Sequence, residues 1–149
     1  MTTHLDDSRT AARIRLVDEH VRAENAHDLD DLMRTFGAAP TFDVNRDHID
    51  GHDGVHAFYA ELIRGFPDLR IDVKHRHVAA DAVVLEVVVT GTHQHTWNGV
   101  PPRGGRIELP VCAVFPFDAE ERLAGERVYF DMALMLRQMG ASPGTASGA

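Results

Sequence analysis

The spacing of apolar residues divides the chain into a helical first part and a second part made of strands. Apolar residues recur at helical spacing over 8–25, 29–36 and 55–66, and Ser8 and Asp28 are the predicted caps of the first two helices. A short strand is predicted at 41–44, followed by an irregular polar segment. After Pro67 the period changes to two, and alternation predicts strands over 68–74 and 107–117. A β-branched run predicts a strand over 83–90, and a last strand is predicted over 122–131. A helical turn over 132–139 closes the pattern.

Helices followed by a run of strands are typical of an α+β fold. We expect a single domain over residues 1–140, in which three N-terminal helices cover a strongly curved antiparallel or mixed sheet. Such a sheet forms a cone around an apolar cavity, and a small hydrophobic ligand or substrate is the expected partner. The tail over 141–149 is small and polar, so we expect it to be disordered.

Composition and charge restrict the classes of partner. The 149 residues carry 15 Lys and Arg against 23 Asp and Glu, a formal net charge of −8, and the basic residues are scattered. Nucleic acid is therefore not an expected partner, because phosphate binding needs a clustered basic face. No apolar run approaches the roughly 18 residues of a membrane span, and the acidic start lacks a secretory pattern. With Cys112 as the single cysteine, these features favour the cytoplasm.

The last two predicted strands carry apolar residues on both faces. Val114 and Phe115 are predicted on opposite faces of one strand. Tyr129 is predicted on the face of the other strand opposite to Val128 and Phe130. A monomer would expose one of these sets to water, and large exposed apolar patches usually mark a contact. We therefore expect a homodimer through the outer face of the sheet.

Ten histidines are the unusual feature of the composition. If the hairpin over 68–95 pairs residues whose numbers sum to about 160, Lys74 faces Glu86, and His93 and His95 point to the interior. The alternative is a pair of rim histidines in water. His75 also falls on the apolar side of its strand, but at about 3.3 Å per residue it lies too far from His93 to share a metal ion. We therefore expect no metal.

Three segments resemble the SnoaL-like polyketide cyclases. They are residues 66–71 (FPDLRI), residues 91–104 (GTH followed by GVPPRG) and residues 126–140 (ERVYFD followed by LRQMG). The segments follow in the family's order, and the resemblance runs from about residue 8 to residue 140. It implies the nuclear-transport-factor-2-like, or ketosteroid-isomerase-like, cone fold. That superfamily includes cyclases, isomerases, dehydratases, epoxide hydrolases and binding proteins without catalytic activity.

The resemblance also implies candidate site residues. Asp131 matches the family's acid/base aspartate, and a partly desolvated carboxyl at the end of an apolar strand can accept a proton near neutral pH; the alternative is a helix cap. Asp43 lies where ketosteroid isomerases place their base. Glu126 and Arg127 are expected to form an outward charge pair. The predicted substrate-binding residues are Tyr59, Trp97, Phe58, Phe115 and His75.

These residues predict a cofactor-independent acid/base enzyme of the SnoaL-like type, a polyketide or ester cyclase that acts on a hydrophobic carbonyl compound. Asp131 would remove a proton next to the carbonyl, and His93 or His95 would stabilise the enolate. The alternatives are a dehydratase, isomerase or epoxide hydrolase, including lyase chemistry, and a small-ligand-binding protein without catalysis. A second titrating group with a perturbed pKa would favour the enzymes, and a purely apolar cavity would favour the binding protein.

Overall fold

The computed structural model describes residues 6–141, so all of the predicted tail except Ala141 lies outside the described residues. Within this range the chain forms four helices: α1 (Asp7–Asn25), α2 (Leu29–Arg34), α3 (His52–Gly65) and α4 (Met132–Gln138). It also forms six strands: β1 (Phe36–Val44), β2 (Asp47–Asp50), β3 (Arg70–Val78), β4 (Ala82–Thr92), β5 (Arg106–Pro116) and β6 (Leu123–Tyr129). No helix in the described range is long and apolar enough to cross a membrane.

The six strands form one mixed sheet in the order β2-β1-β6-β5-β4-β3. The β1–β6 pair is parallel and the other pairs are antiparallel. Helix α3 contacts β1, α1 contacts β3, and α4 contacts β5. The main core contains Leu16 and Val17 of α1, Val55 and Tyr59 of α3, and the inward side chains of the strands. This arrangement confirms the predicted α+β fold with a mixed sheet.

Helix caps explain where two of the helices begin. Asp28 caps α2 as predicted, because its carboxylate accepts the backbone N–H of Asp31 at 3.0 Å. The first helix begins earlier than expected. Its cap is Asp6 rather than Ser8, and the Ser8 side chain donates to the Asp6 carboxylate at 2.6 Å. Either residue type stabilises a helix start, so the pattern alone could not choose between them.

The hairpin of β3 and β4 has the predicted register only at its open end. Arg70 pairs with Thr90 and Val73 with Val87, as expected. The register then shifts, and His75 pairs with Glu86. A β-bulge at Lys74 adds one residue to β3, and a shift of one residue moves every later side chain to the opposite face. The prediction that His75 lies on the apolar side is therefore wrong.

The edge formed by β1 and β2 differs most from the prediction. Strand β1 begins at Phe36, in the segment predicted as the end of the second helix, and β2 forms within the segment predicted as irregular. Both strands depend on partners distant in sequence or across a turn. Thr41 lies between Asp50 of β2 and Gly125 of β6. Such pairing overrides a local pattern, because the backbone groups of a central strand are satisfied on both sides.

Candidate active site

A cavity of about 90 Å³ lies between the helices and the inner face of the sheet. Its walls come from α1, α3 and α4, from strands β1 and β3–β6, and from the loop before β5. Most of the lining is apolar, and it includes the rings of Phe42, Phe58, Trp97, Phe115 and Phe130. The cavity therefore suits a hydrophobic ligand.

Three ionisable side chains interrupt this apolar lining: Glu24, Tyr59 and Glu126. Each is more than nine-tenths buried. Glu24 lies on the inward stripe of α1, Tyr59 on the inward face of α3 and Glu126 on β6. Fully buried His20 lies one helical turn before Glu24 and joins the group from α1. Two helices and a strand thus hold four titratable side chains at one place.

Three of these side chains converge on one ring nitrogen of the fourth, His20. His20 Nε2 lies 3.2 Å from Tyr59 Oη, 3.3 Å from Glu126 Oε2 and 4.0 Å from Glu24 Oε2. The Tyr59 hydroxyl donates a hydrogen bond to Glu126 Oε2. The rings of Phe36 and Phe115 pack edge-on against the imidazole at 5.2 and 5.1 Å. The polar contacts are thus confined to the edges of the ring, and apolar groups cover the remainder.

Burial sets the ionisation of the cavity acids. Desolvation, with the charge of Glu126 second, raises the pKa of Glu24 well above the usual 4.5. Desolvation likewise raises the pKa of Tyr59, and the nearby Glu126 and Glu24 add to the effect. The Glu24 carboxyl contacts His20 Nε2 at 4.0 Å from Oε2, which is beyond hydrogen-bond distance. Burial thus makes Glu24 hold its proton more tightly than an exposed carboxyl does, and the side chain lines the cavity.

This arrangement provides an acid and a base in one cavity. Like charges close together oppose joint ionisation, so two buried carboxyls tend to divide into a protonated and an ionised member. Glu24 has the environment of the protonated member. Glu126 accepts the Tyr59 O–H. Such a pair can remove a proton from a bound compound and supply one to it.

Four of the predicted substrate-binding residues line this cavity: Tyr59, Phe58, Trp97 and Phe115. The phenol of Tyr59 also belongs to the polar cluster with His20 and Glu126. Trp97 packs closely over Gly65, where an added Cβ would lie 2.9 Å from the Trp97 Cβ. This close approach requires glycine at the end of α3.

Asp131 lies outside the cavity, which corrects its predicted position. It is exposed and is the N-cap of α4, where its Oδ1 accepts the Leu134 N–H at 2.9 Å. The cap geometry satisfies a backbone donor of the helix and leaves the carboxyl in water. The outward placement of Glu126 is also wrong, because the side chain of Glu126 points into the cavity and that of Arg127 points away.

The remaining predicted residues do not join the cluster. Asp43 alternates with the inward Phe42 and Val44, and its carboxylate contacts His48 Nδ1 at 2.5 Å on the outer face. His75 and His95 are exposed. His93 is fully buried, as the register predicted, but it stacks on Phe66 at 5.2 Å and is absent from the cavity lining. Both of its ring nitrogens lack a hydrogen-bond partner among the described residues.

The sequence contained a signal for the residues that were missed. The buried positions of α1 are 13, 16, 17, 20, 23 and 24, which is helical spacing. The apolar pattern of Ile14, Val17 and Val21 gave a stripe rotated away from this one. Extending the stripe from Leu16 and Val17 through polar residues would have placed His20 and Glu24 inside. Glu126 lies two residues before the buried Val128 on β6 and so shares its inward face, which is the corresponding signal in a strand.

Metal binding finds no support in the arrangement of side chains. Among residues 6–141, no group of three or more His, Cys, Asp or Glu side chains is placed to hold a metal ion. The expectation that the protein needs neither metal nor cofactor stays a prediction.

Comparison with known proteins identifies the family. The sequence pattern of the SnoaL-like polyketide cyclases matches residues 13–139. The chain belongs to the SnoaL-like polyketide cyclase family. This result confirms the resemblance that three short segments indicated. No curated protein matches the chain in sequence.

Solved structures confirm the fold of this SnoaL-like chain. A protein from Jannaschia Sp. CCS1 that carries the SnoaL-like polyketide cyclase name is 22% identical, with a TM-score of 0.84 over 94% of this chain and 99% of that one. SalBIII, an epoxide hydrolase/cyclase-like enzyme of pyran ring formation in salinomycin, is 19% identical, with a TM-score of 0.72 over 86% and 95%. A hypothetical protein with a ketosteroid-isomerase-like fold from Catenulispora acidiphila DSM 44928, in complex with trimethylamine, is 16% identical, with a TM-score of 0.70 over 85% of this chain and 92% of that one.

Proposed function

We propose that the chain is an acid/base enzyme that acts on a hydrophobic carbonyl compound in the buried cavity. In this proposal Glu126 removes a proton next to the carbonyl, and Glu24 donates a hydrogen bond or proton to the carbonyl oxygen. One observation carries the proposal: two buried carboxyls, each within 4.0 Å of His20 Nε2, line an otherwise largely apolar cavity. Membership of the SnoaL-like family supports the same type of chemistry.

Glu126 is suited to the role of base. It lies on β6, where the sheet fixes its backbone, and the Tyr59 hydroxyl and the edge of His20 fix its carboxyl. A carboxylate held in this way needs little reorganisation before it accepts a proton, which lowers the barrier for transfer.

Glu24 is suited to the role of acid. Burial and the charge of Glu126 raise its pKa, which favours the protonated form that an acid needs. A neutral carboxyl in an apolar site can donate to an oxygen on which negative charge develops, and the low local dielectric strengthens that bond. Its carboxyl lines the cavity, where it can donate to the oxygen of a bound ligand.

A second reaction fits the same pair of groups. A protonated carboxyl can donate to an epoxide oxygen while a carboxylate takes the proton of an attacking hydroxyl group. The structural neighbour SalBIII, which is named as epoxide hydrolase/cyclase-like, supports this as the second candidate. A binding protein without catalysis is less favoured, because a purely hydrophobic ligand would not need two desolvated carboxyls, which destabilise the fold unless they are partnered.

A hydrogen-exchange assay tests the proposal with a simple probe. The hydrophobic ketone 2-tetralone is mixed with the protein in D₂O, and loss of the hydrogens next to the carbonyl is followed by NMR. We expect the wild type to accelerate exchange. We expect Glu126→Gln and Glu24→Gln to lose about 100-fold or more, the usual scale for loss of a general acid or base. Gln keeps the shape of each side chain but removes its transferable proton.

Asp131→Asn is the matched control, because it changes an exposed carboxyl to an amide outside the cavity. It should retain the wild-type exchange rate. The proposal is contradicted if both glutamine variants keep the wild-type rate, or if Asp131→Asn alone loses it. Styrene oxide tests the second candidate. If the wild type opens this epoxide, the glutamine variants do not, and no protein exchanges the ketone hydrogens, the epoxide reaction is selected.

A further inference from the structure

The charged side chains that line the cavity are all acidic. Glu24 and Glu126 belong to the lining, and no Lys or Arg lines the cavity in the described part of the chain, residues 6–141. Burial, and after it the charge of Glu126, raises the pKa of Glu24, so the two carboxyls oppose each other's ionisation. A positively charged ligand would relieve this repulsion, whereas a negatively charged ligand would add to it.

Aromatic rings lie next to the acidic end of the cavity. Phe42 and Phe58 lie 5.3 and 5.8 Å from Tyr59, measured between ring centres. Phe115 lies 5.1 Å from the ring of His20. All three phenylalanines line the cavity. Because the face of an aromatic ring carries partial negative charge, it attracts a cation. Rings beside carboxyls thus favour a cation with an apolar body.

The oxygen atoms at this end can accept hydrogen bonds from an ammonium group, which has three N–H donors and no acceptor. The carboxyls of Glu24 and Glu126 provide acceptors, and the Tyr59 oxygen is a further one because its single proton goes to Glu126. Glu24 Oε2 and Glu126 Oε2 lie 4.0 and 3.3 Å from the same atom, His20 Nε2, so the two carboxyls are neighbours. Hydrogen bonds between a cation and a carboxylate are stronger than those between neutral groups.

We infer that the cavity binds a hydrophobic ammonium compound, an amine with an apolar ring body whose charged nitrogen contacts Glu24 and Glu126. The apolar walls contact the body, and the carboxyls bind the nitrogen. This binding activity goes beyond the proposed function, because it needs no carbonyl group in the ligand and no proton transfer to or from carbon. Since both ligands use one cavity, the amine and the carbonyl compound exclude each other.

Desolvation decides which kind of cation fits. Moving a cation out of water is unfavourable unless counter-charges and hydrogen bonds replace its hydration. The two carboxyls and the Tyr59 oxygen supply these replacements at one end of the cavity. A metal ion would need further oxygen or nitrogen ligands, whereas the remaining walls are apolar. An amine with an apolar body matches both parts of the lining.

Three tetralin compounds with the same ring body test the inference in the full-length protein. At neutral pH 2-aminotetralin is a cation, 2-tetralol is neutral and tetralin-2-carboxylate is an anion. Isothermal titration calorimetry measures the three affinities. We expect the amine to bind about 10-fold or more tightly than the alcohol, the scale of one hydrogen bond to a charged group, and the anion to bind most weakly. Amine and alcohol affinities that are equal, or an anion that binds most tightly, would overturn the inference.

Substitutions show where the amine binds. Glu126→Gln and Glu24→Gln keep the shape of each side chain but remove its charge, and each should lose most of the preference for the amine. Glu19→Gln is the control, because Glu19 is exposed on the same helix as Glu24. It removes one charge from a protein whose net charge of −8 attracts any cation weakly, and it should keep the preference. If both cavity variants also keep it, the amine binds elsewhere and the inference is wrong.

Carbon NMR of the Glu24 carboxyl tests the inference without a cavity variant. A cation beside a carboxyl favours its ionised form, so Glu24 should titrate at lower pH with 2-aminotetralin bound than with 2-tetralol bound. His20, Tyr59 and Glu126 are the titratable groups beside Glu24 in both complexes, so the comparison isolates the charge of the ligand. Identical titrations in the two complexes would overturn the inference, even if neither glutamine variant folds.

Calorimetry and the 2-tetralone exchange assay separate this inference from the proposed function. If the protein prefers the amine through Glu24 and Glu126 but does not exchange the ketone hydrogens, the inference stands and the proposed function fails. If exchange needs Glu24 and Glu126 while the amine binds no better than the alcohol, the proposed function stands and the inference fails.

Discussion

His20 and Glu24 occupy core positions of α1, in the same stripe as Leu16 and Val17. At such positions apolar side chains are the rule, because a buried polar group is unfavourable unless it is partnered. A prediction from apolar spacing therefore does not identify His20 and Glu24 as buried residues. Tyr59 could be placed inside because its ring is hydrophobic, but its contact with Glu126 of distant β6 depends on the tertiary fold. The sequence could predict the apolar walls of the cavity better than its polar end.

Glu24→Gln should make the protein more stable at neutral pH while it removes activity. The pKa of Glu24 is raised in the folded state, so the folded state binds more protons than the unfolded state above pH 4.5. The contribution of Glu24 to stability is therefore complete at pH values below its pKa in the unfolded state. It is lost as the pH rises through the pKa of Glu24 in the folded state. Urea unfolding at several pH values measures the effect.

The stability difference between Glu24→Gln and the wild type should grow with pH above 4.5. Glu19→Gln, an exposed change on the outer face of the same helix, is the control and should follow the wild type. A glutamine variant whose stability is lower than that of the wild type by the same amount at every pH would contradict this account of Glu24.

His93→Phe should stabilise the protein, and more so in acid. Burial lowers the pKa of His93 below its usual 6.5, so the unfolded state binds the proton first as pH falls. The wild type thus loses stability as pH falls through about 6.5 towards the lowered folded value. Phe keeps the stacking on Phe66 and removes two ring nitrogens that lack partners. Leaving a buried polar group unsatisfied costs about 1–3 kcal/mol.

Thermal melting of His93→Phe from neutral to mildly acidic pH checks this prediction. The exposed His95→Phe provides the comparison, and it should melt like the wild type across the series. Equal acid sensitivity of His93→Phe and the wild type would show that protonation of His93 does not weaken the fold.

At the scale of elements, periodicity predicted most helices and strands but not their irregularities. The β-branched run of β4 and the alternating pattern of β5 placed both strands within a few residues of their bounds. The bulge at Lys74 was not visible, because nothing in the alternation of β3 marks where the ladder shifts. That one residue moved His75 from the predicted inner face to the outer face. Edge strand β2 was missed for a similar reason, since its few residues gain their structure from pairing with β1.

The cap of α4 gives a prediction for Asp131. Asp131→Ala should destabilise the protein by about 1 kcal/mol, because it removes the acceptor of the Leu134 N–H. Asp131→Asn should be close to neutral, since Asn caps helices about as well as Asp. Urea midpoints of the two variants measure this difference. Equal losses in both would argue against a capping role.

At the scale of the whole molecule, the order of helices and strands in the sequence predicted the fold class. The cavity was predicted because helices were expected to cover one face of a curved sheet. The outer face of the sheet carries half-buried and exposed apolar side chains. Cys112 lies between Glu86 and Tyr129, Val114 lies between Val84 and Arg127, and Tyr129 is 47% exposed. Val128 and Phe130 contribute to the cavity, so Tyr129 is the apolar group that β6 presents outward.

We propose that this outer face forms the homodimer contact expected from the sequence, because exposed apolar groups on neighbouring strands favour association. Sedimentation velocity at micromolar concentration should show a dimer, and Tyr129→Glu should dissociate it. Val78→Glu is the control. Val78 is 42% exposed, but it pairs with buried Val83 and so belongs to the opposite face. A wild type that sediments as a monomer would contradict the proposal.

The ionisation of Glu24 tests the central claim, an acid/base pair in the cavity, most directly. Carbon NMR of the side-chain carboxyls can follow its titration in the wild type, with Glu24→Gln to assign the signal. The account predicts a pKa well above 4.5, raised by burial and by Glu126, and a lower value in Glu126→Gln. A wild-type Glu24 that titrates near 4.5 would contradict the account, because the cavity would then contain no protonated carboxyl to act as the acid.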